Sequence, residues 1–348
     1  SSCTGMGTEN LKGTEMKFID IDCAERRRIL DSLQAKIGLK SAIIEKDWWV
    51  TAVLRALFLL PYSPHLSFKG GTSLSKCWHV IQRMSEDADI GITREYLGFE
   101  GSLSKNQISD KLRRAACSFV RETLQNDLRQ RMTDDGIDPG KFRIHVNITP
   151  VSTTDPEVVY VEYEPAASPV SYIPPVVKIE ISGRSMSEPI EEVMIGSLID
   201  SAVPGAVFTE PKFSVRAVMA KRTFLEKIFL LHEEFAKDEG QIRVNRMSRH
   251  LYDIHRMLHT QAAVDALSDE NLYAAVVEHR KAFIGLKGFD YSSLQKATLA
   301  FIPPSSVYDE WKKDYETMQE EMIYGESLPF DEMIAELREF NNRINRKG

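Results

Sequence analysis

The segment from Leu66 to Ile92, LSFKGGTSLSKCWHVIQRMSEDADIGI, constrains the fold more tightly than any other stretch. Leu66 and Phe68 alternate with polar neighbours, the pattern of a half-buried strand. Gly70 and Gly71 break that pattern, and Thr72 and Ser73 are favoured helix N-cap types. Leu74, Cys77/Trp78 and Ile81 then recur at helical spacing, which predicts a short helix. After Arg83, Ala88, Ile90 and Ile92 alternate with Asp87, Asp89 and Gly91, which predicts a second strand with two carboxylates on one face. Glu86 is out of phase with the aspartates and is expected to point away.

At 348 residues the chain is long enough for two domains, and 43% hydrophobic with 27% charged residues is an ordinary globular balance. No apolar run approaches the roughly 20 residues of a membrane span, and no secretory signal is visible. The four cysteines show no Cys-x-x-Cys pairing, which fits a reduced, cytoplasmic compartment. A net charge of −7 argues against a protein that coats itself in nucleic acid, while leaving room for a local basic patch.

Helices are expected over 21–39 and 41–60, then the unit at 66–92. A polar helix at 103–132 carries Lys105, Lys111, Arg113, Arg114, Arg121, Arg129 and Arg131. Two readings stand for it, a solvated face or a surface that meets a phosphate backbone. Strands are expected at 141–149, 157–163 and 176–182. In the last of these Val177, Ile179 and Ile181 share one face, so Lys178, Glu180 and Ser182 share the other. Beyond about 212 the strands are expected to stop. Thr223 and Glu226 fit a capping box, Ser248 opens another helix, and helices at 268–284, 305–323 and 329–345 complete the chain. The expected organisation is α+β: a disordered or cloning-derived N-terminus (1–20, with a natural start at Met16), a mixed sheet with flanking helices (21–211) and a helical C-terminal domain (212–348).

Asp87 and Asp89, two apart on a strand, suit Mg²⁺, which keeps some waters and takes other ligands from substrate phosphates. By itself Asp-x-Asp also suits a solvated strand, and Gly-Gly-Thr-Ser an ordinary turn. One short helix apart, the two motifs point to a common spot. There Gly70 and Gly71 admit phosphate oxygens to backbone N–H groups, Thr72 and Ser73 add hydroxyls, and Lys76 follows one turn on. Glu180 is either a third carboxylate or a cross-strand partner for a basic residue. Lys227, placed early in its helix, opposes the local dipole, so an anion should compensate: a triphosphate or a neighbouring acid. Asp253 stands four residues after Arg249, either as an i,i+4 ion pair or as a group that orients Lys227 or an acceptor hydroxyl. His232, His250, His255 and His259 lack a zinc pattern.

With these residues in place, the chain resembles the AbiEii/AbiGii family, nucleotidyltransferase-like toxins of bacterial type IV toxin–antitoxin and abortive-infection systems. The resemblance rests on EKDWWVTAVLRAL (45–57), FKGGTSLSK (68–76), RMSEDADI (83–90), KRTFLEKIFLLHEE (221–234), RMSRHLYDIHRM (246–257) and DYETMQEEMIYGESLPFDEMIAEL near the end, in the expected order. It implies a polymerase-β-like nucleotidyltransferase core. Its first motif falls on Gly70, Gly71, Thr72 and Ser73, its second on Asp87 and Asp89, and its third and fourth on Lys227 and Asp253. Leu225 and Leu251 stand where an aromatic residue is expected. The resemblance also implies an antitoxin from the same operon that need not touch the toxin.

The expected activity is transfer of NMP from an NTP to an acceptor hydroxyl with release of pyrophosphate, using Mg²⁺ or Mn²⁺. The acceptor is read as an RNA 3′ end, such as that of tRNA. Asp87, Asp89 and Glu180 would hold metal, Ser73 and Lys76 the phosphates, Lys227 the triphosphate charge, and Asp253 would position a reactant. Two alternatives stay open, an inactive nucleotide-binding regulatory module and transfer to a protein or small-molecule hydroxyl. The site is expected between the two domains.

Overall fold

The structure, a computed structural model, describes residues 16–85, 87–147, 157–170, 173–186 and 188–347. The expected N-terminal tail up to residue 15, Glu86 and the end of the strand expected at 141–149 lie outside the described residues.

Helix α1 (Cys23–Ile37) is capped by Asp22, whose carboxylate accepts from the Glu25 N–H, and it ends at Gly38, where φ is 75°. Helix α2 (Ser41–Phe58) follows and buries Trp48 and Trp49 completely or nearly so. Strand β1 (Leu66–Lys69), helix α3 (Gly70–Lys76) and strand β2 (Asp87–Ile92) form the expected unit. Helices α4 (Leu112–Phe119) and α5 (Gln125–Asp134) come next, with π-helical turns before and between them. Strands β3 (Phe142–Val146), β4 (Glu157–Tyr163), β5 (Val176–Ser182) and β6 (Ile190–Ile195), the short helix α6 (Leu198–Ala202) and strand β7 (Phe213–Val218) complete the sheet region. Beyond it stand α7 (Ala220–Phe235), α8 (Ser248–Met257), α9 (Gln261–Ser268), α10 (Glu270–His279), α11 (Tyr308–Glu321) and α12 (Phe330–Lys347).

The seven strands form one mixed sheet in the order β3-β4-β5-β2-β1-β7-β6. Ala88, Ile90 and Ile92 of β2 and Val177, Ile179 and Ile181 of β5 join Trp48, Trp49 and Val53 in a core under α1, α2 and α5. A second core, from Phe224 and Leu251 to Trp311 and Phe340, is built almost wholly by the C-terminal helices. Leu74 and Ile81 belong to that second core, so the segment between α3 and β2 is packed into the helical region. The backbone ties it there as well: the Met84 N–H donates to the Met322 carbonyl at 2.8 Å and the Tyr324 N–H to the Gln82 carbonyl at 3.1 Å.

Three expectations need correction. The strands do not stop at 212, because β7 pairs with β1 and β6, so the sheet extends to Val218. Helix α7 therefore starts straight from the end of β7, at Ala220, rather than at a Thr223/Glu226 capping box. Thr223 lies inside the helix, and Glu226 instead accepts from Arg222 Nε and Nη2 at 3.1 and 2.8 Å. Likewise α3 begins at Gly70, which leaves Thr72 and Ser73 within its body and not at its cap. The arginines of the expected 103–132 helix are mostly engaged: Arg114 with Asp110, Arg121 with Glu157, Arg131 with Asp135, and Arg129 donating to the Ile144 carbonyl.

Candidate active site

Strand register alone builds the acidic face. Asp89 of β2 stands opposite Lys69 of β1 on one side and Glu180 of β5 on the other. Because side chains alternate along each strand, Asp87 shares the face of Asp89, while Ala88 and Ile90 enter the core. Burial, reinforced by Asp89 and Asp87, pushes the Glu180 carboxyl up to about 7. At Glu180, burial and the two neighbouring aspartates thus outweigh the opposing charge of Lys69.

The glycines make room for this cluster. Gly70 has φ +78°, and a Cβ there would lie 1.8 Å from Asp89 Oδ2. A Cβ on Gly71 would lie 2.8 Å from both an Arg83 nitrogen and the Ser85 hydroxyl. Thr72 turns the other way and donates to the Asp87 carbonyl at 2.5 Å, fastening α3 to the start of β2.

A cavity of about 380 Å³ opens between this face and helices α7 and α8. Gly70, Gly71, Asp87, Asp89, Glu180 and Lys227 all line it. Lys227 does not sit at the first turns of its helix, so the dipole has little hold on it. Its compensating anion is Asp253, whose Oδ2 lies 2.9 Å from Lys227 Nζ. Burial pulls the Lys227 pKa below its ordinary value, with Arg83 and Arg249 adding to the shift and Asp253 opposing it.

Asp253 itself is wholly buried and does not line the cavity. Its two oxygens accept from Arg83 Nε and Nη2, both at 2.7 Å, besides meeting Lys227. Burial alone would raise its carboxyl pKa, but Arg83 and Lys227 hold it well below the usual carboxylate range. Asp253 therefore fixes two cations that face the cavity, and the expected i,i+4 pair with Arg249 does not form.

Two expected phosphate ligands are placed elsewhere. Lys76 Nζ pairs with Asp47 Oδ1 at 2.5 Å, on the side of α2, and does not line the cavity. Asp47 also accepts from the Leu198 N–H at 2.7 Å, so it joins α2, α3 and α6. Ser73 is buried at 1% exposure and likewise lies off the cavity, as does Thr72.

Ser85, Arg184 and Arg280, which carried no expectation, also reach the cavity, as do Arg249 and His250, which were not expected to face a substrate. The Arg249 side chain makes no hydrogen bond or ion pair with any described residue, and burial lowers its pKa with Arg83 and Arg246 adding to the shift. His250 is kept neutral by burial and by the charges of Lys227 and Arg249, and its Nδ1 lies 3.4 Å from Lys227 Nζ. Arg83 and Arg249 both lie inside stretches that carried the family resemblance, which was the available signal for them. In all, seven Lys and Arg and four Asp and Glu line the cavity, an arrangement able to neutralise a polyphosphate beside a carboxylate cluster.

That combination defines the class as nucleotidyltransferase, and the comparisons specify it further. The chain matches the model of the nucleotidyl transferase AbiEii toxin family, type IV toxin–antitoxin system, over residues 52–336, and it belongs to that family. It is thus a nucleotidyltransferase toxin, and membership implies a nucleotide substrate and an antitoxin partner. No curated protein matches the sequence. Among solved structures it is similar to JHP933 from Helicobacter pylori, with 16% identity, 89% of this chain and 94% of that chain covered, and a TM-score of 0.41. It is also similar to MenT4, a nucleotidyltransferase toxin from Mycobacterium tuberculosis H37Rv, at 16% identity, with 84% and 98% covered and a TM-score of 0.35. Among the described residues no helix is long and apolar enough to cross a membrane.

Proposed function

We propose that the chain transfers NMP from an NTP to the hydroxyl of an RNA 3′ end, such as that of tRNA, with Mg²⁺ or Mn²⁺ held at Asp87, Asp89 and Glu180. The observation that carries this reading is the row of carboxylates on β2 and β5 facing Lys227 and Arg249 across one cavity. Among the described residues no three His, Cys, Asp or Glu form a preassembled metal site. The donor set still fits Mg²⁺, a hard ion that takes one or two carboxylates and completes its shell with waters and substrate phosphates. The raised Glu180 pKa points the same way, since burial and the Asp89 and Asp87 carboxylates outweigh the opposing charge of Lys69. When bound there, the ion supplies charge neutralisation for the triphosphate and a lowered pKa for the attacking hydroxyl.

The protein's own groups do the rest. Lys227 and Arg249 oppose the triphosphate charge, with Lys227 held in place by Asp253 and Asp253 by Arg83. Gly70 and Gly71 keep the wall beside Asp89 free of side-chain atoms. The acceptor oxygen forms a bond to the α-phosphorus as the bond to pyrophosphate breaks, and the hydroxyl proton passes to a carboxylate of the cluster. The surplus of cations over carboxylates around the cavity supports a polyanionic acceptor such as RNA. The paired arginines of α4, α5 and the turn between them leave that contact to the cavity rim. Two units divide the chain in this reading, the sheet through Val218 and the helices from Ala220, with cytoplasmic action and an antitoxin from the same operon.

The test is incubation with α-labelled NTPs and total RNA. Wild type should label RNA, Asp87→Ala should not, and chelation should stop wild type until Mg²⁺ or Mn²⁺ is restored. Equal labelling by wild type and Asp87→Ala would refute the assignment. Label recovered on protein or on a small molecule would replace the RNA acceptor.

A further inference from the structure

Beside the main cavity lies a second one of about 240 Å³, which shares Arg246, Arg249 and Met322 with it. Its remaining wall is of a different kind. Met84 and Met318 are 7% and 6% exposed and make an apolar floor with Met322. Met84 and Met322 are fixed side by side, because the Met84 N–H donates to the Met322 carbonyl at 2.8 Å. Thioethers suit the face of a flat aromatic ring, being polarisable and able to adjust to its outline.

The neck between the cavities is built rather than incidental. Arg246 has φ 59°, a left-handed conformation that costs free energy in a residue with a side chain. Asp314 of α11 holds it, accepting from the Arg246 N–H at 2.7 Å, the Ser248 N–H at 3.0 Å and the Ser248 hydroxyl at 2.5 Å. The clamp orients the start of α8, from which Arg249 reaches both cavities. At the rim stand Asn245 and Glu321, exposed, with side chains that hydrogen-bond to no described residue.

Resting on the nucleotidyl-transfer reading, we infer that this second cavity receives the nucleobase of the NTP, and that it favours bases bearing an amino group. With the triphosphate along Lys227 and Arg249, the base of the same molecule has an adjoining slot of suitable size, with a methionine floor and polar walls, on the far side of Arg249. Glu321 can only accept hydrogen bonds when ionised, so it rewards the N–H donors of cytosine, adenine or guanine. Uracil presents one ring N–H flanked by two carbonyl oxygens, which the carboxylate repels. Asn245 can donate and accept, and so serves any base edge.

Calorimetry on the full chain with Mg²⁺ separates this inference from the reading beneath it. The probes are inorganic tripolyphosphate, CTP, ATP, GTP and UTP. We expect tripolyphosphate to bind, the three amino-bearing nucleotides to bind at least about tenfold more tightly, and UTP to fall at least about fivefold behind them. Glu321→Gln, an exposed change, should remove the discrimination against UTP while leaving tripolyphosphate affinity and the melting temperature unchanged. Nucleotides that bind no tighter than tripolyphosphate, or an unchanged order in Glu321→Gln, would overturn the base site and leave the phosphate cavity standing. Failure of tripolyphosphate and every nucleotide to bind would overturn both.

Discussion

Asp253, buried behind one wall of the main cavity, and the Asp87/Asp89/Glu180 cluster on the opposite wall are driven in opposite directions by their surroundings. Asp253 receives Arg83 and Lys227 directly, so it stays ionised despite complete burial. At Glu180 on the sheet the opposing charge of Lys69 is outweighed. Burial and mutual repulsion raise Glu180 to about 7. The first carboxylate is satisfied by the fold and spends its charge on structure. In the second group the ionised form of Glu180 is disfavoured, a balance that a cation arriving with a substrate would reverse. Carboxylates at and behind the walls of one cavity thus divide into a structural one and a chemical set, and the division is set by the neighbours that each one has.

The largest effect expected from breaking this contrast is on the sheet side. Asp89→Ala should reduce nucleotidyl transfer roughly a thousandfold, the order of the several kcal/mol that metal-centred charge stabilisation contributes. Its thermal stability should not fall, since removing one of three repelling carboxylates relieves the cluster. A variant that melts well below wild type would put Asp89 with Asp253 as a structural group.

Next in size is Asp253→Ala, which leaves Arg83 and Lys227 buried without their counter-ion. Denaturant unfolding should show a loss of about 3–5 kcal/mol, the usual result of breaking one side of a buried ion pair. A loss below about 1 kcal/mol would show that Asp253 is not the anchor described.

Gly70→Ala places a methyl group where the Asp89 carboxylate stands, at a backbone conformation unfavourable to alanine. Strain of roughly 1–3 kcal/mol is expected from the backbone alone, with transfer falling more than stability because Asp89 must move. Activity within twofold of wild type would mean that Asp89 does not need its present position.

A smaller effect, of opposite sign, should come from Glu180→Gln in the absence of divalent ions. The folded pKa of Glu180 lies above that of the unfolded chain, so the folded state holds the proton longer. Wild-type stability therefore falls as pH rises from about 4.5 to about 7, and the penalty persists above that range. At pH 8 the glutamine variant should be more stable by on the order of 1–2 kcal/mol, after allowance for partial exposure, and the advantage should vanish by pH 4. A pH-independent difference would contradict the assigned cause.

Much of the sheet side was legible in the sequence, because strand period fixes direction. Alternation of Ala88, Ile90 and Ile92 puts Asp87 and Asp89 together, and that of Val177, Ile179 and Ile181 puts Glu180 on one face. That β2 and β5 are neighbours was not legible, since register between distant segments is set by the whole sheet. Strand β7 shows the same alternation in Val215 and Ala217 against Ser214 and Arg216, but the helical signals just after it drew the boundary too early. Strand β6 is an edge strand with Glu191, Glu192 and Met194 exposed, which blurs its period. On the helical side the pairing of Arg83 with Asp253 joins residues 170 positions apart, beyond reach of any local pattern. Lys76 shows the converse error: proximity in sequence to the glycines suggested a phosphate ligand, yet one turn of helix carries it round to Asp47. Lys76→Ala should accordingly leave transfer within about twofold of wild type.

In the proposed reaction the cavity activates the α-phosphorus of an NTP for attack. Parallel reactions with α-³²P-labelled and γ-³²P-labelled NTP and the same acceptor test it most directly. The α-label should enter the acceptor, the γ-label should be released as pyrophosphate, and Asp89→Ala should abolish both. Transfer of the γ-label to the acceptor, or α-label incorporation undiminished in Asp89→Ala, would contradict it.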